Sequence, residues 1–219
     1  MQTLRPNPVL FDTQLAMVER KGLTLFVTYR LNHSIPLATL DKLRQEYEAD
    51  ESAIVLRYTD QDQKKEELYK AQKRYFGKFD AYLDQQKEPK YKLTEAKMCD
   101  FLMEGIHKMA DSYFDLWAFV VMPNHVHLLM SIAHAEVPFF DILQQHKRLT
   151  TLFAQRLYQE KFKLWAHESY DHLVRDQGEF ERIVRYMMNN PIKAGWVNNW
   201  QEWPYRYCNS RLLLRQQED

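Results

Sequence analysis

His125-Val126-His127 sets two imidazoles two residues apart. In an extended strand alternate side chains share a face, so both rings aim at one point while Val126 enters the opposite face. Imidazole is the commonest protein metal ligand, and two of them on a rigid strand supply half of a divalent-metal site. A second candidate group lies in EFERIVRYMMNNP, where Phe180, Ile183, Val184 and Met187 make the apolar stripe of a helix packed on a sheet. Tyr186 falls at the flank of that stripe, where a tyrosine ordinarily serves as a boundary between core and solvent. Asn190 is one turn further along the same flank, and its amide oxygen is of the type that completes a metal site. Pro191 disfavours helical geometry at the residue before it, which leaves Asn189 as a competing ligand and a helix cap as the alternative role of both asparagines.

The last third of the chain also carries cations: His146-Lys147-Arg148, Lys161, Lys163, Lys193, Arg206 and Arg211, with Trp165, Trp196, Trp200 and Trp203 among them. Cations for phosphates and aromatic faces for unstacked bases are the ingredients of single-strand binding. Glu160, Glu168, Asp171, Asp176, Glu179, Glu181 and Glu202 are interleaved with them. Lys147, Arg148, Lys193 and Arg206 are the expected phosphate contacts, and Trp203 is assigned to core packing ahead of base contact.

The elements that must hold these groups follow from the pattern. LTLFVTYRL, Leu23 to Leu31, alternates Leu23, Leu25, Val27, Tyr29 and Leu31 to one face and reads as a first strand. The charged, glutamine-rich text that follows has helix formers and few breakers, and is expected to be a helical insertion at about 37–92. Thr94 is placed to cap a helix in which Met98, Phe101, Leu102 and Ile106 recur at helical spacing. The apolar run YFDLWAFVVMP and the strand HVHLLMSI are joined by the turn chemistry of Pro123-Asn124. Phe139 to Gln159 reads as an amphipathic helix, and Glu179 to Asn189 as another, stopped by Pro191. Strand, helix, hairpin, helix gives an α+β fold with helices on one face of a small antiparallel sheet.

Composition narrows the setting. With 219 residues, 45% of them hydrophobic, the chain can bury one sizeable core. Its 30 basic and 30 acidic residues cancel, so the bulk charge does not attract a polyanion and any nucleic-acid contact must be local. Cys99 and Cys208 show no ligand spacing and suit a reducing cytoplasm. The opening MQTLRPNPVLFDTQLAMVERKG lacks the basic-then-apolar pattern of a secretory signal, and no run reaches the eighteen or so apolar residues of a membrane span. The expectation is a soluble, cytoplasmic protein of one domain.

Taken together, LWAFVVMPNHVHLLM, WAHESYDHLVRDQGEFERIVRYMMNNPIKAGWV and EWPYRY resemble the REP-associated tyrosine transposases, a branch of the HUH single-strand endonuclease superfamily. The resemblance runs from about Gly22 to Arg206, and its three blocks match in order and spacing. It implies a ferredoxin-like sheet, His125 and His127 as metal-binding histidines, Tyr186 as nucleophile and Asn190 as third ligand. It further implies Mg2+ or Mn2+ as cofactor, and as partner single-stranded DNA beside a hairpin formed by palindromic repeats. The long charged segment before Thr94, and Trp203-Pro204-Tyr205-Arg206-Tyr207 in place of the usual Trp-Pro-Tyr-Ser-Ser, depart from the family pattern. From the residues alone two other readings stay open: a hydrolase with zinc on the HxH pair and Asp171 or His172 assisting, and a DNA-binding relative without activity.

Overall fold

The computed structural model describes residues 22–86, 88–133 and 137–215. The N-terminal stretch read above for a secretory signal lies outside these residues. Five strands, β1 (Thr24–Leu31), β2 (Phe114–Val121), β3 (His125–Ile132), β4 (Trp165–Leu173) and β5 (Arg206–Cys208), form one antiparallel sheet in the order β4-β1-β3-β2-β5. The helices are α1 (Leu37–Arg57), α2 (Gln61–Gln85), α3 (Ala96–Tyr113), α4 (Phe139–Tyr158), α5 (Gln177–Lys193) and the short α6 (Ser210–Arg215). Contacts divide the chain into two units, one made of residues up to Asn32 and from Glu88, the other of His33–Lys87.

In the first unit, β1-α3-β2 and β3-α4-β4 interleave as the two halves of a ferredoxin-like α+β fold, and β5 extends the sheet beyond β2. Alternation sorts the strand residues. Leu25, Val27, Tyr29 and Leu31 of β1, with Val126, Leu128, Met130 and Ile132 of β3, share one face and one core. That core is closed by Met98, Cys99, Leu102 and Ile106 of α3 and by Ile142, Leu143 and Ala154 of α4. α3 and α4 thus cover one face, as the pattern predicted, and α5 lies against the other. Phe101 sits at the edge of the α3 stripe and stacks on Phe153, with ring centroids 4.1 Å apart.

Two local expectations are corrected. Glu95, not Thr94, caps α3 by accepting from the Met98 amide (3.2 Å), because it is the last residue before the helical backbone begins. Pro191 does not stop α5, which runs on to Lys193. A proline removes its own N–H and crowds the carbonyl four residues back, a small loss in a last turn that would end soon anyway. The end comes at Gly195, whose φ of 74° suits a residue without a Cβ.

In the second unit α1 and α2 lie antiparallel, since Asp50 pairs with Arg74 (3.0 Å) and Glu46 with Lys78 (2.6 Å). Exposed pairs of this kind add little stability. Burial of Ile35, Leu43, Phe79 and Leu83 holds the two helices together. Asp60 caps α2 by accepting from the Gln63 amide (2.8 Å). Among the described residues no helix is long and apolar enough to cross a membrane.

Candidate active site

β3 presents His125 and His127 on the face turned away from α3 and α4, and both are fully buried. Their Nε2 atoms lie 3.1 Å apart. Each ring is held from behind at its other nitrogen. His125 Nδ1 donates to the Asn124 side-chain carbonyl at 2.6 Å, and His127 Nδ1 is hydrogen-bonded to the Thr28 hydroxyl at 2.7 Å. Thr28 can do this because β1 pairs with β3 in a register that sets Thr28 opposite His127. Phe26, two residues back on the same face of β1, stacks on the His127 ring with centroids 5.5 Å apart.

α5 supplies the remaining groups. Because the helix continues through Pro191, Asn190 stays one turn beyond Tyr186 and is buried, whereas Asn189 points to solvent. Asn190 Nδ2 lies 2.9 Å from His127 Nε2, and its Oδ1, also buried, has no hydrogen-bond partner among the described residues. The two ends of a side-chain amide are nearly isosteric, so a half-turn exchanges them and brings the oxygen to the histidines. The Tyr186 ring lies edge-on to His127 at 5.7 Å and to Phe26 at 6.2 Å between centroids. The Lys193 ammonium stands 5.8 Å from the centre of the Tyr186 ring.

This donor set fits a divalent ion. Two imidazoles on adjacent positions of one ion, with bonds of about 2.1 Å, bring their nitrogens to about 3 Å. The observed 3.1 Å is that spacing. A buried amide oxygen lacking a partner costs stability unless something occupies it, and a cation beside the histidines would do so.

The structure brings together five of the eight residues singled out by sequence: His125, His127, Asn190, Tyr186 and Lys193. Lys147 is a correction. It is buried, its Nζ donates to the carbonyls of Ala166 (3.3 Å) and His167 (3.4 Å), and burial pushes its pKa down to about 8. A side chain so placed on α4 does not reach a phosphate at the histidines. Arg148 is exposed but also on α4, across the sheet from them. Arg206 donates to the carbonyls of Trp203 (3.0 Å) and Gln201 (2.9 Å) and lies over the Trp200 ring, stapling the segment before β5. Trp203 is buried, its indole donating to the Val121 carbonyl at 3.1 Å, which is a packing role. Tyr170 is buried on β4 and packs edge-on to Phe26 at 6.4 Å. His172 Nε2 pairs with Glu179 at 3.2 Å, and among the described residues neither it nor Asp171 joins the His125/His127 pair. Thr28, Asn124 and Phe26 escaped the sequence reading, although Asn124 stands directly before the first histidine.

No protein-family model matches the chain. A Haemophilus influenzae protein named for the REP-associated tyrosine transposases is 29% identical over 127 residues, covering 51% of this chain and 71% of the relative. The REP-associated tyrosine transposase of Escherichia coli K12 is 26% identical over 95 residues, which span 43% of this chain and 54% of the relative's own length. The chain is homologous to the REP-associated tyrosine transposases. The fold agrees: a solved REP-associated tyrosine transposase bound to a REP hairpin superposes with a TM-score of 0.51 over 85% of this chain and 77% of that one, at 18% identity. At that identity the shared feature is the architecture.

Proposed function

We propose that this chain is a metal-dependent single-strand DNA endonuclease and strand transferase that acts beside hairpins, as in DNA transposition. One observation carries the reading: Tyr186 and Asn190, a single helical turn apart on α5, face the converging nitrogens of His125 and His127 on β3. The relatives' names and the hairpin bound by the solved homologue support it. His125, His127 and Asn190 would hold the ion, and two nitrogens with an amide oxygen suit manganese more than magnesium, which prefers an all-oxygen shell. When bound, the ion supplies charge neutralisation on the scissile phosphate. Tyr186 attacks phosphorus: the Tyr186 Oη–P bond forms, the P–O3′ bond breaks, and the phenolic proton passes to water while the departing 3′ oxygen takes one up. The product is a 5′-phosphotyrosine and a free 3′-hydroxyl, and the stored ester rejoins the strand to another end. Phe26 and His127 fix the ring's position, and Lys193 on the exposed end of α5 is the cation placed to meet the incoming backbone.

A helix-borne tyrosine must reach a phosphate drawn against the sheet, which a stacked, paired backbone resists. The zero net charge also fits local recognition, since non-specific duplex affinity rests on a basic excess. The test presents one sequence as perfect duplex, as unstructured single strand and as hairpin with single-stranded flank, with manganese present. Cleavage with a covalent adduct is expected on the flanked hairpin and not on the duplex. Equal cutting of all three, or preference for duplex, contradicts the reading.

A further inference from the structure

We infer that Arg182 and Arg185, with Asn189, form a track on α5 that holds the DNA backbone beside the phosphate presented to Tyr186; the inference rests on the single-strand reading above. At about 100° per residue, the arc of α5 that leads outward from Tyr186 carries Lys193, Arg182, Asn189 and Arg185 in turn, at about 20°, 40°, 60° and 100°. All four are exposed. The buried Val184, Met187 and Pro191 lie to the other side of Tyr186, against the sheet. Along the axis Arg182 comes about 6 Å before Tyr186 and Lys193 about 10 Å after it, so cations bracket the tyrosine. The two arginines are also uncompensated. Exposed cations elsewhere in the described residues, such as Lys70, Lys78, Lys90 and Lys108, pair with carboxylates, whereas Arg182 and Arg185 form no ion pair there. The acids of the same helix are engaged otherwise. Asp176 caps α5 by accepting from the Glu179 amide at 2.7 Å, Glu179 is buried against His172, and Glu181 accepts from the Gln177 side chain at 2.8 Å. Gly178 leaves room for the Arg182 side chain, since a Cβ there would lie 3.3 Å from its Nη1. In a chain whose charges cancel, this is a local positive strip beginning at the candidate nucleophile. Phosphate contacts of this kind set the register of a strand without reading its bases.

The test measures binding and not turnover. A fluorescent hairpin with a single-stranded flank is titrated with the full chain carrying Tyr186→Phe, so that the strand is held uncut, at several salt concentrations. This parent should bind, and failure to bind would remove the functional reading itself. With binding in hand, Arg182→Gln and Arg185→Gln should each weaken it about fivefold at about 0.1 M salt and lower the slope of log affinity against log salt by about 0.7, the value of one single-strand phosphate contact. The weakening should be the same for flanks of different sequence, and Arg182→Lys should restore the slope. Arg148→Gln, an exposed cation on α4, serves as the control and should change neither quantity. Substitutions at exposed positions should leave the melting temperature nearly unmoved. Replacing the flank phosphates one at a time by neutral methylphosphonates should reveal a position that weakens the parent and costs Arg182→Gln nothing further. Parent-like affinity and slope in both glutamine variants, equal loss in Arg148→Gln, or additive losses at every methylphosphonate would overturn the inference while leaving the functional reading in place.

Discussion

On the face of the sheet covered by α3 and α4, His146 is buried alone. Its Nε2 lies 3.3 Å from the Tyr29 hydroxyl, its ring sits edge-on to Tyr29, and burial pushes its pKa down to about 4. Gly105 of α3 approaches so closely that a Cβ there would lie 2.9 Å from the His146 ring. On the opposite face His125 and His127 are just as buried, yet their Nε2 atoms lie 3.1 Å from each other, with the Asn190 amide 2.9 Å from that of His127. Burial therefore does not distinguish a core histidine from a ligand. Convergence does, because two imidazole nitrogens about 3 Å apart are spaced to bind one cation together.

The comparison can be broken most severely at Tyr186. Tyr186→Phe should reduce the covalent DNA adduct to background, since the hydroxyl is the nucleophile, while the ring keeps its contacts with Phe26 and His127 and the melting temperature barely moves. Next come the two histidine environments. His125→Ala and His127→Ala should each lower cleavage by more than the 10- to 100-fold typical of changes around a ligand, with excess chelator doing the same to wild type. His146→Gln should leave Mn2+ affinity and cleavage as they are, and its effect should appear only in stability. A loss of metal affinity in His146→Gln equal to that in His127→Ala would erase the distinction between the faces. Asn190→Ala should be milder, about tenfold in metal affinity, because water can replace a neutral amide oxygen.

The smallest effect concerns pH. His146 is held neutral in the folded chain with a pKa near 4, below the ordinary histidine value of about 6.5. The unfolded chain then binds the extra proton first, so its contribution is full above about pH 6.5 and is lost as pH falls toward 4. Urea titrations of wild type and His146→Gln across that window should diverge by up to about 3 kcal/mol, with wild type losing more stability in acid. Parallel curves would show that burial of His146 does not set its protonation.

Much of the site was legible because strand alternation and helical spacing are local. The HxH pair and the Tyr186–Asn190 turn each belong to one element, and β1's odd positions gave the core face directly. The choice between Asn189 and Asn190 was not legible, because it turned on whether α5 survives Pro191, and packing on the sheet decided that it does. Lys147 was misread by type. Treating His146-Lys147-Arg148 as a basic cluster overlooked that Lys147 shares the buried stripe of Leu143, Thr150 and Ala154 on α4. Thr28 lies about a hundred residues from His127, and only the register between β1 and β3 makes them neighbours, which no local pattern contains.

The most direct test of the central claim is to trap the covalent product and find the residue that carries it. A single-stranded oligonucleotide with a hairpin is incubated with the protein and manganese, the complex is digested with trypsin, and the DNA-bearing peptide is sequenced by mass spectrometry. A phosphodiester is expected on Tyr186, in the peptide ending at Lys193, formed with manganese and absent in excess chelator. An adduct on Tyr170, or one that forms fully in chelator, would contradict it.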